Sequence, residues 1–200
     1  MILDTHLLIS NIIYKYLSNN INFKLDRAAF AYGNVKPDFI DNDIKCSHTL
    51  DESLYCVNKY SEKLIRDNLS IKEFSISLGV ICHFTCDYFC LYHTNGYSKK
   101  GILKHLYYEL ILHMKLITLF LRGKLRLTNY ELHDTSVEDI LLKLQKKYNS
   151  EAKGLNTDIK YTLFAATQIS KLIVYSSQLY FDQIETTILE DHLEQPNKAS

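Results

Sequence analysis

Proline and glycine are scarce in this chain, at two and six among 200 residues. Both punctuate regular structure, so their scarcity argues against a fold of many short elements and points to long ones with few turns. A surplus of either charge is also missing: Lys+Arg and Asp+Glu number 23 each, for a formal net charge of zero. That argues against an electrostatically driven nucleic-acid binder, whose footprint is a basic surplus, and leaves at most a local basic groove. Nor is there a long hydrophobic run. The most apolar stretch, Leu110 to Leu121, contains His113 and Lys115 and is too short to span a bilayer. The N-terminal MILDTHLLISNIIYKYL lacks the basic opening of a secretory signal, and Asp4 and His6 interrupt it, so it reads as mature sequence. The five cysteines are odd in number, and Cys82, Cys86 and Cys90 recur at one-turn intervals. They read as reduced thiols rather than a disulfide framework, and the expected location is the cytoplasm.

What the sequence does contain is helical periodicity. With 46% hydrophobic and 23% charged residues the composition is ordinary for a globular protein, and 200 residues fit one domain with a substantial core. Apolar residues recur at three and four spacings almost throughout, and sustained alternation is absent, so the chain is expected to be all-α. A first helix can start with Asp4 or Thr5 as N-cap and run to Tyr16 or Leu17. A short one covers Asp26 to Tyr32 and ends at Gly33, followed by a loop in which Pro37 opposes helix. The next spans Ser47 to Arg66. Ser70-Ile-Lys-Glu73 forms a capping box opening a helix to about Tyr92. Asn95 and Gly96 make a turn, and Ser98 caps a helix from Lys99 to Arg122, stopped by Gly123. Thr135-Ser-Val-Glu138 is a second capping box, opening a helix to about Tyr148. Thr157 to Glu190 is helical with room for one break, and the polar tail EQPNKAS is expected to fray. Neither an internal repeat nor a domain linker is evident.

Several ionisable residues fall in apolar surroundings. His83 and Asp87 share one face of a strongly apolar helix, and His105 and Glu109 repeat the spacing on the next. His48 with Glu52 is a third such pair. A single match means little, since H-x-x-x-[DE] is expected about once by chance in this composition. Context carries more weight, because an unpaired charge in an apolar helix is penalised. One histidine alone would read as a core residue bonded to backbone. The group of His6, Asp38, His48, His83, Asp87 and His93 is better explained by a shared metal site, and imidazole with carboxylate suits hydrolytic zinc. Cys82, Cys86 and Cys90 lie one step round the helix and could offer a soft-metal or redox site, but buried packing is the preferred reading. His113, His133 and His192 read as surface or helix-packing residues.

The ordered set of His6, GNVKPDF with Asp38, SH with His48, CHFTCDYFCLYH with His83, Asp87 and His93, and HLYYE with His105 and Glu109 resembles the zinc-dependent phospholipases C of bacteria. Related zinc nucleases acting on single strands carry a similar series. The resemblance covers roughly residues 1 to 125. It implies a single-domain multi-helix bundle of the phospholipase C and zinc nuclease type, its C-terminal helices completing the bundle over residues 1–200. It also implies up to three zinc ions. Asp38, His48, His83 and Asp87 would hold one, and His93, His105 and Glu109 a second. His6, the bridging Asp87 and the backbone atoms of Met1 would hold the third, where the family uses an N-terminal tryptophan that this sequence lacks.

The activity so implied is phosphodiester cleavage by a zinc-bound hydroxide, with Asp38 as general base or water-orienting group. The implied partner is a phospholipid or other phosphodiester, with peripheral contact to a membrane surface and without a stable nucleic-acid complex. Phe39 matches an aromatic that follows the metal-binding aspartate and would face the headgroup. Lys45 stands where the family can carry a second aromatic, and a cation there would repel choline. Two alternatives remain open at this stage: a single-strand nuclease or nucleotidase of the same fold, and a catalytically silent helical metal binder whose site is closed.

Overall fold

The structure is a computed structural model that describes residues 1–39, 46–94, 97, 101–125, 127 and 136–193, with side chains to residue 185. Among the described residues there are eight α-helices and no strand. They run α1 (Leu3–Asn20), α2 (Arg27–Phe39), α3 (Leu50–Arg66), α4 (Ile71–Tyr88), α5 (Ile102–Leu121), α6 (Val137–Ser150), α7 (Leu155–Ser176) and α8 (Gln178–Leu193). A single 3-10 turn, Leu91–His93, follows α4. Together they form one all-helical domain.

Two helices form the interior. From Phe74 to Tyr88 almost every residue of α4 is buried, and α7 is nearly as enclosed. A helix apolar all round has no solvent face to offer and must be surrounded. Accordingly α4 packs against α1, α2, α3 and α7, while α7 also meets α5, α6 and α8. Any ionisable group on the inner turns of α4 is therefore committed to the core.

Sequence signals fixed several boundaries. Ser70 Oγ accepts the Glu73 N–H and the Glu73 carboxylate accepts the Ser70 N–H at 3.0 Å, the reciprocal box expected. The expected break in the last helical stretch falls at Ser177, between α7 and α8. Other expectations are corrected. The first helix starts at Leu3 after extended Ile2, without a side-chain cap, because Thr5 is buried with its hydroxyl 3.1 Å from His113 Nδ1. Gly33 does not end α2. It lies where a Cβ would strike the Ile76 carbonyl of α4, so it serves close packing rather than termination. Pro37 sits inside the last turn, where it forfeits only the bond back to Gly33. Ser136 caps α6 and accepts the Asp139 N–H at 3.1 Å. Thr135, the Asn95–Gly96 turn, Ser98, Lys45, His133 and the tail from residue 194 lie outside the described residues.

The expectation of five reduced thiols is also corrected. Cys46 and Cys56 form a disulfide, with Cα atoms 6.1 Å apart, which ties the segment before α3 to its second turn. This removes the thiol argument for a reducing compartment. Cys82, Cys86 and Cys90 remain free and buried, as packing residues should be.

Candidate metal centre

Asp87, one residue before the end of α4, is the hub. Its side chain is fully buried, and its two oxygens look in different directions. Oδ2 lies 2.6 Å from His48 Nδ1 and 3.4 Å from His83 Nε2. Oδ1 accepts the Met1 amino group at 2.6 Å and lies 3.3 Å from His6 Nε2. A carboxylate so enclosed would ordinarily be neutralised by burial. Here the amino group and the surrounding histidines outweigh burial and hold it well below the usual carboxylate range.

The first cluster joins α2, α3's leading segment and α4. His83 Nδ1 lies 2.9 Å from the backbone carbonyl of Asn34, so that nitrogen carries the proton and Nε2 is left with a bare lone pair. Nε2 then faces His48 Nδ1 at 3.3 Å, Asp87 Oδ2 at 3.4 Å and Asp38 Oδ1 at 3.6 Å. Protonating Nε2 would satisfy the carboxylates, yet burial and neighbouring His6 press the His83 pKa down to about 3. A neutral imidazole aiming its lone pair at two carboxylates is repulsive unless a cation lies between them. A tetrahedral ion with bonds of about 2.0–2.1 Å sets its ligand atoms about 3.3–3.4 Å apart, the spacing found around Nε2. The His48–Asp87 pair is drawn tighter, as a hydrogen bond would draw it.

The second cluster lies where the 3-10 turn meets α5. His93 Nε2 is 3.3 Å from His105 Nε2, and Glu109 Oε1 lies 3.0 Å from the first and 2.7 Å from the second. Burial acts against the Glu109 charge, but the histidines and the Met1 amino group bring its pKa down to about 2. Tyr92 stacks on His105, with ring centroids 5.3 Å apart, and fixes that ring.

Between the clusters sits the Met1 amino group. It is 2.6 Å from Asp87 Oδ1 and 3.2 Å from both His93 Nε2 and Glu109 Oε1. Burial disfavours its charge, yet Asp87 and Glu109 raise its pKa to about 11, so without metal it stands as a cation in an anionic hole, and an ion bound there would displace its proton. His6 completes this third group. Among the described residues neither of its buried ring nitrogens makes a well-directed hydrogen bond, Nε2 standing 3.3 Å from Asp87 Oδ1, although its ring stacks on His83 at 4.0 Å. Buried polar atoms are rarely left so, and two orphaned nitrogens beside a carboxylate fit a ligand for an ion. The donor set, the orphaned His6 and the His83 lone pair therefore all suit zinc.

The structure brings together nine of the ten site residues expected from sequence: Met1, His6, Asp38, His48, His83, Asp87, His93, His105 and Glu109. Phe39 stands exposed at the rim, beside Asp38. Met1, His6, His83 and Asp87 form a buried floor, whereas Asp38, His48 and His105 are partly exposed. Among the described residues the centre is thus open on one side. Glu52 is not part of it, and its carboxylate accepts the Ser47 and Thr49 hydroxyls on the surface.

Two residues were underrated by the sequence. Cys90, for which packing was preferred over a soft-metal role, places its sulfur within 4.8 Å of ligand atoms of His93 and Glu109, with burial holding its thiol protonated. Asp158 of α7 is wholly buried and accepts the Leu91 N–H, the Tyr108 hydroxyl and the Tyr148 hydroxyl, each at 2.8 Å. It thereby anchors the turn bearing His93 and the helix bearing Glu109. An isolated aspartate in the first turn of a helix resembles any helix opening, so no sequence signal marked it.

Fold and site define a helical protein with a candidate multinuclear histidine–carboxylate metal centre. The family model for zinc dependent phospholipase C matches residues 5–169, and the chain belongs to that family. No curated protein and no solved structure matches it.

Proposed function

We propose that the protein hydrolyses phosphodiester bonds in phospholipids, using zinc held by the clusters described. The observation that carries this reading is the His83 Nε2 lone pair facing three further donors at 3.3–3.6 Å, in a centre whose rim is partly exposed. Structural zinc sites are closed by protein ligands, whereas a catalytic site keeps a position open, so the exposed rim favours an enzyme over a silent metal binder.

The proposed ligands are Asp38, His48, His83 and Asp87 for one ion, His93, His105 and Glu109 for another, and Met1, His6 and Asp87 for a third. Bound there, zinc would lower the pKa of water and neutralise phosphate charge during in-line displacement. Asp38 is the proposed proton acceptor. Its carboxylate is partly exposed at the rim, where it would meet a water bound to that ion. Asn34 fixes the His83 tautomer through its carbonyl. Phe39 offers the headgroup an aromatic face. A protein nucleophile is not required, and the free thiols are buried.

The test is to load purified protein with zinc, count the metal, and offer several phospholipids together with single-stranded DNA and RNA. Release of phosphorylated headgroup is expected, with Asp38→Asn lowering kcat by about 10²–10³-fold. Zinc bound without release from any phospholipid would sink the reading. Cleavage of single strands alone would transfer it to the nuclease alternative.

A further inference from the structure

The inward face of α5 carries His105 and Glu109, and its outward face is apolar without interruption. Leu103 is 79% exposed, Leu110 51% and Leu121 77%, and Leu106, Tyr107 and Met114 lie on the same side. On a helical repeat these side chains share one half of the cylinder and run for about 27 Å. A continuous exposed stripe of this kind marks an interaction site rather than ordinary surface. Its charged surroundings are one-sided. Across residues 101–125 the cations are Lys104, Lys115, Arg122 and Lys124, and the single acid is Glu109, which is buried in the metal centre. An apolar stripe bordered by cations fits a surface that is apolar within and anionic at its edge. No described helix is long and apolar enough to cross a membrane, so α5 would lie along such a surface.

We infer that the outward face of α5 docks the protein onto a phospholipid bilayer containing anionic lipids. Leu103 lies on the face of α5 opposite His105, so docking holds the metal centre one helix diameter, roughly 10 Å, from the headgroups. The inference rests on the phospholipid reading above for its benefit to catalysis, but the contact itself does not require turnover.

The experiment is co-sedimentation of the zinc-loaded full chain with vesicles of phosphatidylcholine and phosphatidylglycerol, compared with phosphatidylcholine alone. The expected result is binding to the anionic vesicles, weakened by high salt. Leu103→Glu with Leu110→Glu should weaken it by roughly tenfold per substitution, since each removes a buried leucine from the contact. The variant should keep its helical circular dichroism and hydrolyse a soluble short-chain phospholipid like the parent. Vesicle binding that is absent, or unchanged in the variant, overturns the proposal. So does a parent dimer that the substitutions dissociate, which would assign the face to a second copy. Vesicle binding lost in the variant, with no phospholipid cleaved by either protein, supports docking and overturns the proposed activity instead.

Discussion

Gly33 of α2 and Gly79 of α4 oppose one another so closely that a Cβ on Gly79 would stand 2.9 Å from the Gly33 Cα and closer still to the Phe30 carbonyl. This contact brings α2 against α4, and with it the Asn34 carbonyl to His83 and the Asp38 carboxylate to the same ring. Backbone cannot yield as a flexible side chain can. Gly79→Ala should therefore destabilise the metal-free protein by about 1–3 kcal/mol in urea unfolding. It should also lower zinc affinity at the Asp38–His48–His83–Asp87 cluster more than at His93–His105–Glu109. Unchanged stability would show that the helices do not cross this closely.

The Cys46–Cys56 disulfide closes a short loop that contains His48. Cross-linking a loop of this length is worth about 2.5–3 kcal/mol through the unfolded chain. Reduction, or Cys46→Ser with Cys56→Ser, should lower unfolding stability by about that amount and weaken zinc at the cluster holding His48. The three buried thiols should resist alkylation until the protein unfolds. Equal stability with and without reductant would remove the bond from this account.

Metal-free protein should be most stable near neutral pH and lose stability in acid. The His83 pKa falls from 6.5 to about 3 on folding, chiefly through burial. Its contribution is complete above about 6.5 and is lost as pH falls, with a slope near 1.4 kcal/mol per pH unit. His6, Asp87 and Glu109 are depressed too and act in the same direction. Met1 acts oppositely: its amino pKa rises from 8.0 to about 11, so its contribution is complete below 8.0 and fades in alkali. Zinc needs deprotonated ligands, so its stabilising effect should also shrink in acid. Unfolding midpoints measured with chelator and with zinc across this range check both limbs. His48, raised by its bond to Asp87, opposes this slope, so a flat profile between neutrality and pH 5 that is no steeper in His48→Gln than in the parent would contradict the buried neutral His83.

Much of this centre could be read before the fold, for a physical reason. Polar residues inside apolar helices must be satisfied, so His83 and Asp87 stand out in CHFTCDYFCLYH, and regular spacing puts them on one face. The Ser70–Glu73 box was equally visible, because capping is local chemistry. What stayed hidden depends on distant partners. Gly33 looked like a helix stop because its contact, Ile76, lies on another element, and the Cys46–Cys56 pair carried no family spacing. Thr5 looked like a cap because His113 was out of view.

Asp158 was hidden for the same reason, and its removal tests how far support beyond the ligands matters. Its carboxylate accepts three hydrogen bonds in a wholly buried position, and burial still raises its pKa. Asp158→Ala would leave the Leu91 N–H and the Tyr108 and Tyr148 hydroxyls without an acceptor. Each unsatisfied buried group costs about 1–3 kcal/mol, partly relieved by entry of water, so a net loss of about 2–4 kcal/mol is expected. Leu91 begins the turn that ends at His93, and Tyr108 precedes Glu109, so their displacement should reach the second cluster first. Losing such an outer partner typically weakens metal binding about 10–100-fold. Chelator competition should show that loss at His93–His105–Glu109 while the cluster around His83 keeps its affinity. Asp158→Asn retains one carbonyl acceptor and should fall between the parent and Asp158→Ala in both measurements. If Asp158→Ala lowers stability but leaves both affinities alike, Asp158 only braces α7 and does not position the turn.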